Sequence, residues 1–156
     1  MALVRKHPLQ DRSVYQWRMK KRSKAREIAV KLLYEAEVSG APRESAVETK
    51  LRQSVTDEGV VSFAAALYRG VRANWDYLSG KISAAAQHWA LDRIGTVERN
   101  ILRLALYELC FIDDIPPKVS INEAVELAKK FGGKESAAFV NGILDRLWKE
   151  TQASNA

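Results

Sequence analysis

Apolar residues recur three and four positions apart along the chain, and no stretch alternates at a period of two over a strand length. Ala25, Ile28, Ala29, Leu32, Leu33 and Ala36 mark the buried stripe of a first helix, predicted from near Ser23 to Ser39 with Gly40 as its stop. A weaker helix follows Pro42 and turns Ala46, Val47, Leu51 and Val55 inward. Thr56 ahead of Asp57 and Glu58 is a start signal, a hydroxyl cap with acids in the positive first turn. Val60, Ala64, Leu67, Val71, Trp75, Leu78 and Ile82 then predict one long helix to about Gln87, weakened by Gly70 and Gly80.

Thr96 is placed to cap a further helix through Phe111. Val97, Ile101, Leu102, Leu104, Ala105, Leu106, Leu109 and Cys110 cover almost its whole circumference, which puts it at the centre of the fold. Beyond Pro116 and Pro117, Ser120 and Glu123 spell a capping box for a helix that buries Ile121, Ala124, Val125 and Ala128 and stops at Gly132 and Gly133. The last helix starts near Ser136 and buries Phe139, Val140, Ile143, Leu144, Leu147 and Trp148, leaving a frayed tail over residues 151–156. The pattern is that of an all-α fold, a compact helical bundle of about six or seven helices.

With 47% hydrophobic residues in 156, there is enough apolar material for one core. The longest strongly apolar stretch, Val60 to Tyr68, is interrupted by Ser62 and ends at Arg69, short of the roughly 20 residues of a membrane span, so no membrane partner is expected. A single cysteine, Cys110, has no internal disulfide partner. No apolar run follows Arg5 and Lys6, so a reducing, cytoplasmic location is expected.

Charge changes the picture at the N-terminus. Nine basic residues stand against one acid between Met1 and Arg26, a segment charge of +8 in a chain of +6, so the remainder is slightly acidic. A basic arm on a nearly neutral body is the arrangement that grips phosphate backbones, and Tyr15 and Trp17 add aromatic faces for bases. A solubilising tail is the alternative reading of the same arm. Three segments are expected: a basic, flexible arm over 1–21, a helical domain over 22–150, and the tail.

Catalytic chemistry finds no footing. His7 and His88 are the only histidines, Cys110 falls on the apolar central helix, and Gly132-Gly133 follow a helix instead of a strand. Asp113 and Asp114 precede two prolines, where adjacent acids are ordinarily solvated. The expectation is a non-enzymatic protein with no catalytic residue, metal or cofactor. Glu108 stands out, since a bare carboxylate on the central helix is costly and calls for a basic or amide partner.

The run from Val97 to Leu109, then Pro117 to Val119, Ile121 to Lys129, Phe131-Gly132 and Phe139 to Asp145, resembles the NusB family in order and spacing. Ala25 to Tyr34 resembles the family's opening helix, so the likeness extends over roughly Arg22 to Trp148. It implies two roughly perpendicular three-helix bundles that bind a short single-stranded boxA RNA together with ribosomal protein NusE. The heterodimer would then join the RNA polymerase antitermination complex and support ribosomal-RNA transcription and processing. The same helical domain also fronts a ribosomal-RNA cytosine methyltransferase, which needs a large cofactor-binding domain downstream, and the freestanding factor is the better match.

Residue by residue, the family's basic cluster corresponds to Arg22, Lys24 and Arg26, with Ser23 in place of an arginine, which shifts contacts toward Lys20 or Lys21. Thr96 and Glu98 correspond to the RNA surface at the start of the central helix, and Arg99, Arg103 and Lys118 are candidate phosphate contacts. Phe139 is divided between core packing and RNA stacking, whereas Phe131 is expected in the core. Glu135 (Asp in the family) and Ser136 correspond to the partner-binding surface, and Tyr34 to a family tyrosine expected at the RNA or NusE surface, with helix packing the equal alternative on pattern alone. Some members of the family self-associate, so a homodimer with masked or weak RNA binding is the rival reading.

Overall fold

A computed structural model describes residues 12–87 and 94–154. The expectations placed on His7, His88 and the connection at Leu91 lie outside the described residues. Helix α1 spans Arg12–Ser39, and a single 3-10 turn, Glu44–Ala46, leads into α2, Val47–Arg52. Then come α3, Glu58–Ala73, α4, Trp75–Ala85, α5, Thr96–Phe111, and α6, Pro117–Ser154. The fold is all-α, with no strand among the described residues.

The apolar circumference of α5 has the expected consequence. Ile101, Leu102, Leu104, Ala105 and Leu106 are buried, and the helix packs against α1, α3, α4 and α6. The stripe Ala25, Ile28, Ala29, Leu32 and Leu33 is buried where α1 meets α3 and α5. Val140, Ile143, Leu144 and Leu147 bring the second half of α6 into the same core.

Several helix ends differ from expectation, each for a local reason. α1 does not begin at Ser23, because that hydroxyl donates to Met19 O at 2.8 Å, bonding back into a turn that already exists. The long helix expected from Thr56 to Gln87 is two helices, broken at Asn74 and at neither glycine. Asn74 leaves helical geometry (φ −115, ψ 22), and its Nδ2 donates to Gly70 O at 2.8 Å, closing α3 while its own carbonyl accepts from Leu78 N to open α4. Thr96 is the first residue of α5 behind Gly95 and caps nothing. Pro117 occupies the first position of α6, where its missing N–H is no loss, so Ser120 and Glu123 fall inside the helix and form no capping box.

The cap of α3 is Asp57, one residue after the expected Thr56. Its Oδ1 accepts from Gly59 N at 2.8 Å and Val60 N at 3.2 Å. The Lys21 hydrogen bond, followed by the Val60 amide, holds the Asp57 carboxyl below its ordinary value against a smaller opposing effect of burial. A depressed folded-state value means that the Asp57 contribution is present above the unfolded Asp value of about 3.9 and is lost as pH falls through the folded value. Asp57→Ala is therefore expected to lower the melting midpoint by a few degrees at neutral pH, with the gap to wild type closing on acidification. Thermal melts at stepped pH check this, and a gap that stays constant down to strong acid would rule it out.

The stop and restart expected around Gly132 and Ser136 is a kink inside α6. Gly133 takes φ 80 and ψ −166, a conformation that side chains with a Cβ avoid, and the helix resumes at once. At the far end, Thr151 and Ser154 donate their hydroxyls back to Leu147 O and Glu150 O, and α6 continues helical to Ser154 where fraying was expected.

Candidate nucleic-acid interface

Helical geometry sorts the basic cluster of α1 into three directions. Residues four apart share a face, so Lys20, Lys24 and Lys31 line one edge, Trp17, Arg18, Lys21 and Arg22 turn toward α3, and Arg26 turns inward. Along the first edge, a groove of about 530 Å³ runs between α1 and the first arm of α6, lined in part by Lys20, Ser23, Lys24, Glu27, Glu123 and Lys130. Lys130 Nζ donates to Glu27 Oε1 at 2.5 Å, and Lys24 and Lys31 each stand 3.6 Å from the same carboxylate. Burial raises the Glu27 carboxyl, but the Lys130 hydrogen bond and the three lysine charges outweigh it, leaving the group below its ordinary value. Three ammonium groups surround this one carboxylate while Glu123 and Glu126 also line the groove, so the surplus positive charge is local to the Lys24, Lys31 and Lys130 cluster.

The edge continues to the kink of α6. Phe131 is 38% exposed, with the Lys31 ammonium 6.0 Å from its ring centroid, so it lies on the surface and not in the core as expected. Ser136 Oγ donates to Glu98 Oε1 at 2.5 Å and ties the kink to the first turn of α5. The space around that carboxylate is closed by backbone. A Cβ on Gly132 would stand 2.2 Å from Ser136 Oγ and 2.7 Å from Glu98 Oε1, and one on Gly95 would stand 2.3 Å from Glu98 Oε2. Two residues expected in different roles, Glu98 on the RNA side and Ser136 on the partner side, thus meet in one place. Glu135 beside them is exposed, as is Tyr34 on α1.

Glu37, near the C-terminal end of α1, organises the start of α5. Its carboxylate accepts from Asn100 Nδ2 at 2.8 Å, Arg103 Nη1 at 3.3 Å and Arg99 Nη2 at 3.5 Å. Arg99 also donates to Thr96 Oγ1 and Ile94 O, which fixes both residues at the mouth of the connection into α5.

Two expected RNA contacts are corrected. Arg26 is only 1% exposed, and its Nε and Nη2 clamp both oxygens of the Glu108 carboxylate at 2.8 to 3.1 Å while Ser120 Oγ donates to Glu108 Oε1 at 3.1 Å. Glu108 thereby gains the partner its position called for, and Arg26 is withdrawn from the surface. Arg103 is buried as well, donating to Ser79 Oγ and Asn100 Oδ1 with its guanidinium 3.8 Å from the centroid of the Trp75 ring. Burial, ahead of the charges around it, pulls its basicity down. Phe139 is half-buried against the core. Lys118 is exposed on the first turn of α6, apart from the lysine edge.

The lysine edge has contributors that sequence reasoning missed. Lys31 was legible, seven residues after Lys24 on the same helical face. Lys130, the exposure of Phe131 and the role of Glu37 were not, since each depends on how α1 crosses the kink of α6 or the start of α5. Among the described residues no group of His, Cys, Asp or Glu is arranged to hold a metal ion. Cys110 is half-buried, and burial pushes its thiol up, away from the reactive thiolate.

Residues 23–149 match the family model described as the NusB family. The chain belongs to the NusB family. Transcription antitermination protein NusB of Trichlorobacter lovleyi is 48% identical over 128 residues, covering 81% of this chain and 89% of that protein. The NusB of Myxococcus xanthus is 43% identical over 130 residues, covering 81% and 93%. Among solved structures, T. maritima NusB aligns with a TM-score of 0.70 at 39% identity, over 83% of this chain and 91% of that one. A structure of the antitermination factors NusB and NusE in complex with double-stranded RNA aligns with a TM-score of 0.73 at 27% identity, over 85% and 98%. NusB proteins are transcription antitermination factors and not enzymes. In this member of the NusB family the matched segment holds the whole lysine edge except Lys20. No described helix is long and apolar enough to cross a membrane.

Proposed function

We propose that the chain is a cytoplasmic transcription antitermination factor that binds boxA-type single-stranded RNA of ribosomal-RNA leaders as a heterodimer with ribosomal protein NusE. The pair would then enter the RNA polymerase antitermination complex. The observation that carries the reading is the continuous edge of Lys20, Lys24, Lys31 and Lys130, ending at Phe131 and the Glu98–Ser136 junction. Ammonium groups on an ordered helix neutralise phosphates, an exposed aromatic face receives an unstacked base, and polar groups at a helix start read base edges. A solved relative that holds NusE and RNA together supports the partnership. Thr96, Arg99, Tyr34 and Glu135 are assigned to the rim of this surface, and Lys118, which lies apart from it, to a separate phosphate contact.

A titration of labelled boxA RNA, with and without NusE and at several salt concentrations, tests it. NusE is expected to tighten binding, and log affinity is expected to fall linearly with log salt. Lys20→Ala and Lys24→Ala are each expected to reduce that slope by about 1 while leaving the melting curve in place. RNA binding that is absent with NusE present, together with self-association in sedimentation, would replace this reading with that of a homodimeric interaction module.

A further inference from the structure

The family match begins at residue 23, yet α1 is helical from Arg12, and what its leading turns carry is not explained by the shared fold. Trp17 is 57% exposed there, one turn before Lys21. Trp17, Arg18, Lys21 and Arg22 face Gly59, Val60 and Phe63 of α3 across a groove of about 340 Å³. Its cations are already set against its rings: Lys21 Nζ lies 3.2 Å from the Trp17 centroid, and the Arg22 guanidinium carbon lies 5.0 Å from that of Phe63. Lys21 is also held by Asp57 at 2.5 Å and Arg22 by Asp114 at 3.3 Å, whereas Arg18 has no carboxylate partner among the described residues.

Aromatic walls under a cationic rim are the two components of a single-strand binding groove, one for the base and one for the phosphate. An acidic peptide would satisfy the cations but would need an aromatic side chain set beside each acid to use the two walls, whereas every nucleotide carries a base beside its phosphate. Lys20, at the end of the lysine edge, and Lys21 of the groove are successive residues about 100° apart around α1, so a strand leaving that edge reaches the groove by crossing the helix. We propose that the leading turns of α1 and the start of α3 form an additional RNA subsite. It stacks one unpaired nucleobase on Trp17 or Phe63 and holds its phosphate with Arg18 and Lys21. This rests on the RNA-binding reading above and lengthens the bound strand by the nucleotide it accommodates.

The test compares three RNAs on the full chain with NusE: boxA alone, boxA with a short uridine tail, and boxA with an abasic tail of the same length, with the tails placed at either end in turn. Wild type is expected to bind the uridine-tailed RNA about tenfold tighter than the abasic-tailed one, in line with the stacking energy of a single base. Trp17→Ala should abolish that difference and leave boxA alone within about twofold, whereas Trp17→Phe should keep most of it. Equal binding of uridine and abasic tails at both ends by wild type would overturn the subsite while leaving the boxA reading intact. So would a Trp17→Ala loss that is the same for all three RNAs, or that appears only as weaker NusE binding. Failure of every RNA to bind wild type would overturn both.

Discussion

Glu108→Gln is expected to lower folding stability by about 3–5 kcal/mol, the usual cost of removing one partner from a buried ion pair. The cost arises because Arg26 remains charged at 1% exposure with its clamped carboxylate gone. Glu123, 3.9 Å from Arg26 Nη1, is the nearest other acid and stands at ion-pair distance only. Arg26 Nη1 makes no hydrogen bond even in the intact protein, so the pair already bears an unsatisfied donor. Replacing both partners with apolar residues of similar size, Arg26→Met with Glu108→Leu, is accordingly expected to restore most of the stability. Urea melts of the two singles and the double supply the thermodynamic cycle. A single-mutant loss below about 1 kcal/mol would mean that water reaches the pair. The double mutant also tests the correction to the binding surface, because with Arg26 inside the bundle its RNA affinity should match wild type.

The second large effect is expected at the centre of α5. Leu104 is 2% exposed on the helix that four others cover, so Leu104→Ala leaves a cavity that rigid neighbours on several sides cannot close. A loss of about 2–5 kcal/mol is expected, with the denaturant slope unchanged. Leu104→Met, which keeps the volume, should cost less than about 1.5 kcal/mol. If the alanine variant lost no more than the methionine variant, α5 would not be the close-packed centre described.

The helices and the core were legible because burial on a helix repeats every three or four residues, and that signal is spread over many positions. The circumference of α5 foretold its centrality, and Glu108 foretold a buried partner. Helix ends were less legible, since Ser23, Thr96 and Ser120 are all good caps whose hydroxyls are engaged elsewhere: Ser23 donates to Met19 O, Thr96 accepts from the Arg99 guanidinium, and Ser120 donates to Glu108. The site was half legible. Charge density pointed to α1 as the candidate binding face, but a count of basic residues does not say which way each one points. Arg26 is three residues beyond Ser23 and two beyond Lys24, and that rotation about the helix axis separates a core clamp from the lysine edge. Arg103 was misplaced for a related reason, since the acid that draws it inward, Glu37, is on another helix.

The continuity of α1 from Arg12 to Ser39 bears on what RNA binding costs this chain. An arginine-rich segment that folds on contact loses about 1–2 kcal/mol of backbone freedom per residue at that moment. Here Arg18 to Lys31 sit on backbone that is ordered as part of the fold, and only side-chain rotamers remain to be fixed. Successive lysines on one face are also spaced by the helix itself, at about 1.5 Å of rise per residue and so about 6 Å per four. α1 therefore acts as a charged ruler. The heat-capacity change on binding RNA should be the small one of near-rigid partners, without the larger signature of coupled folding.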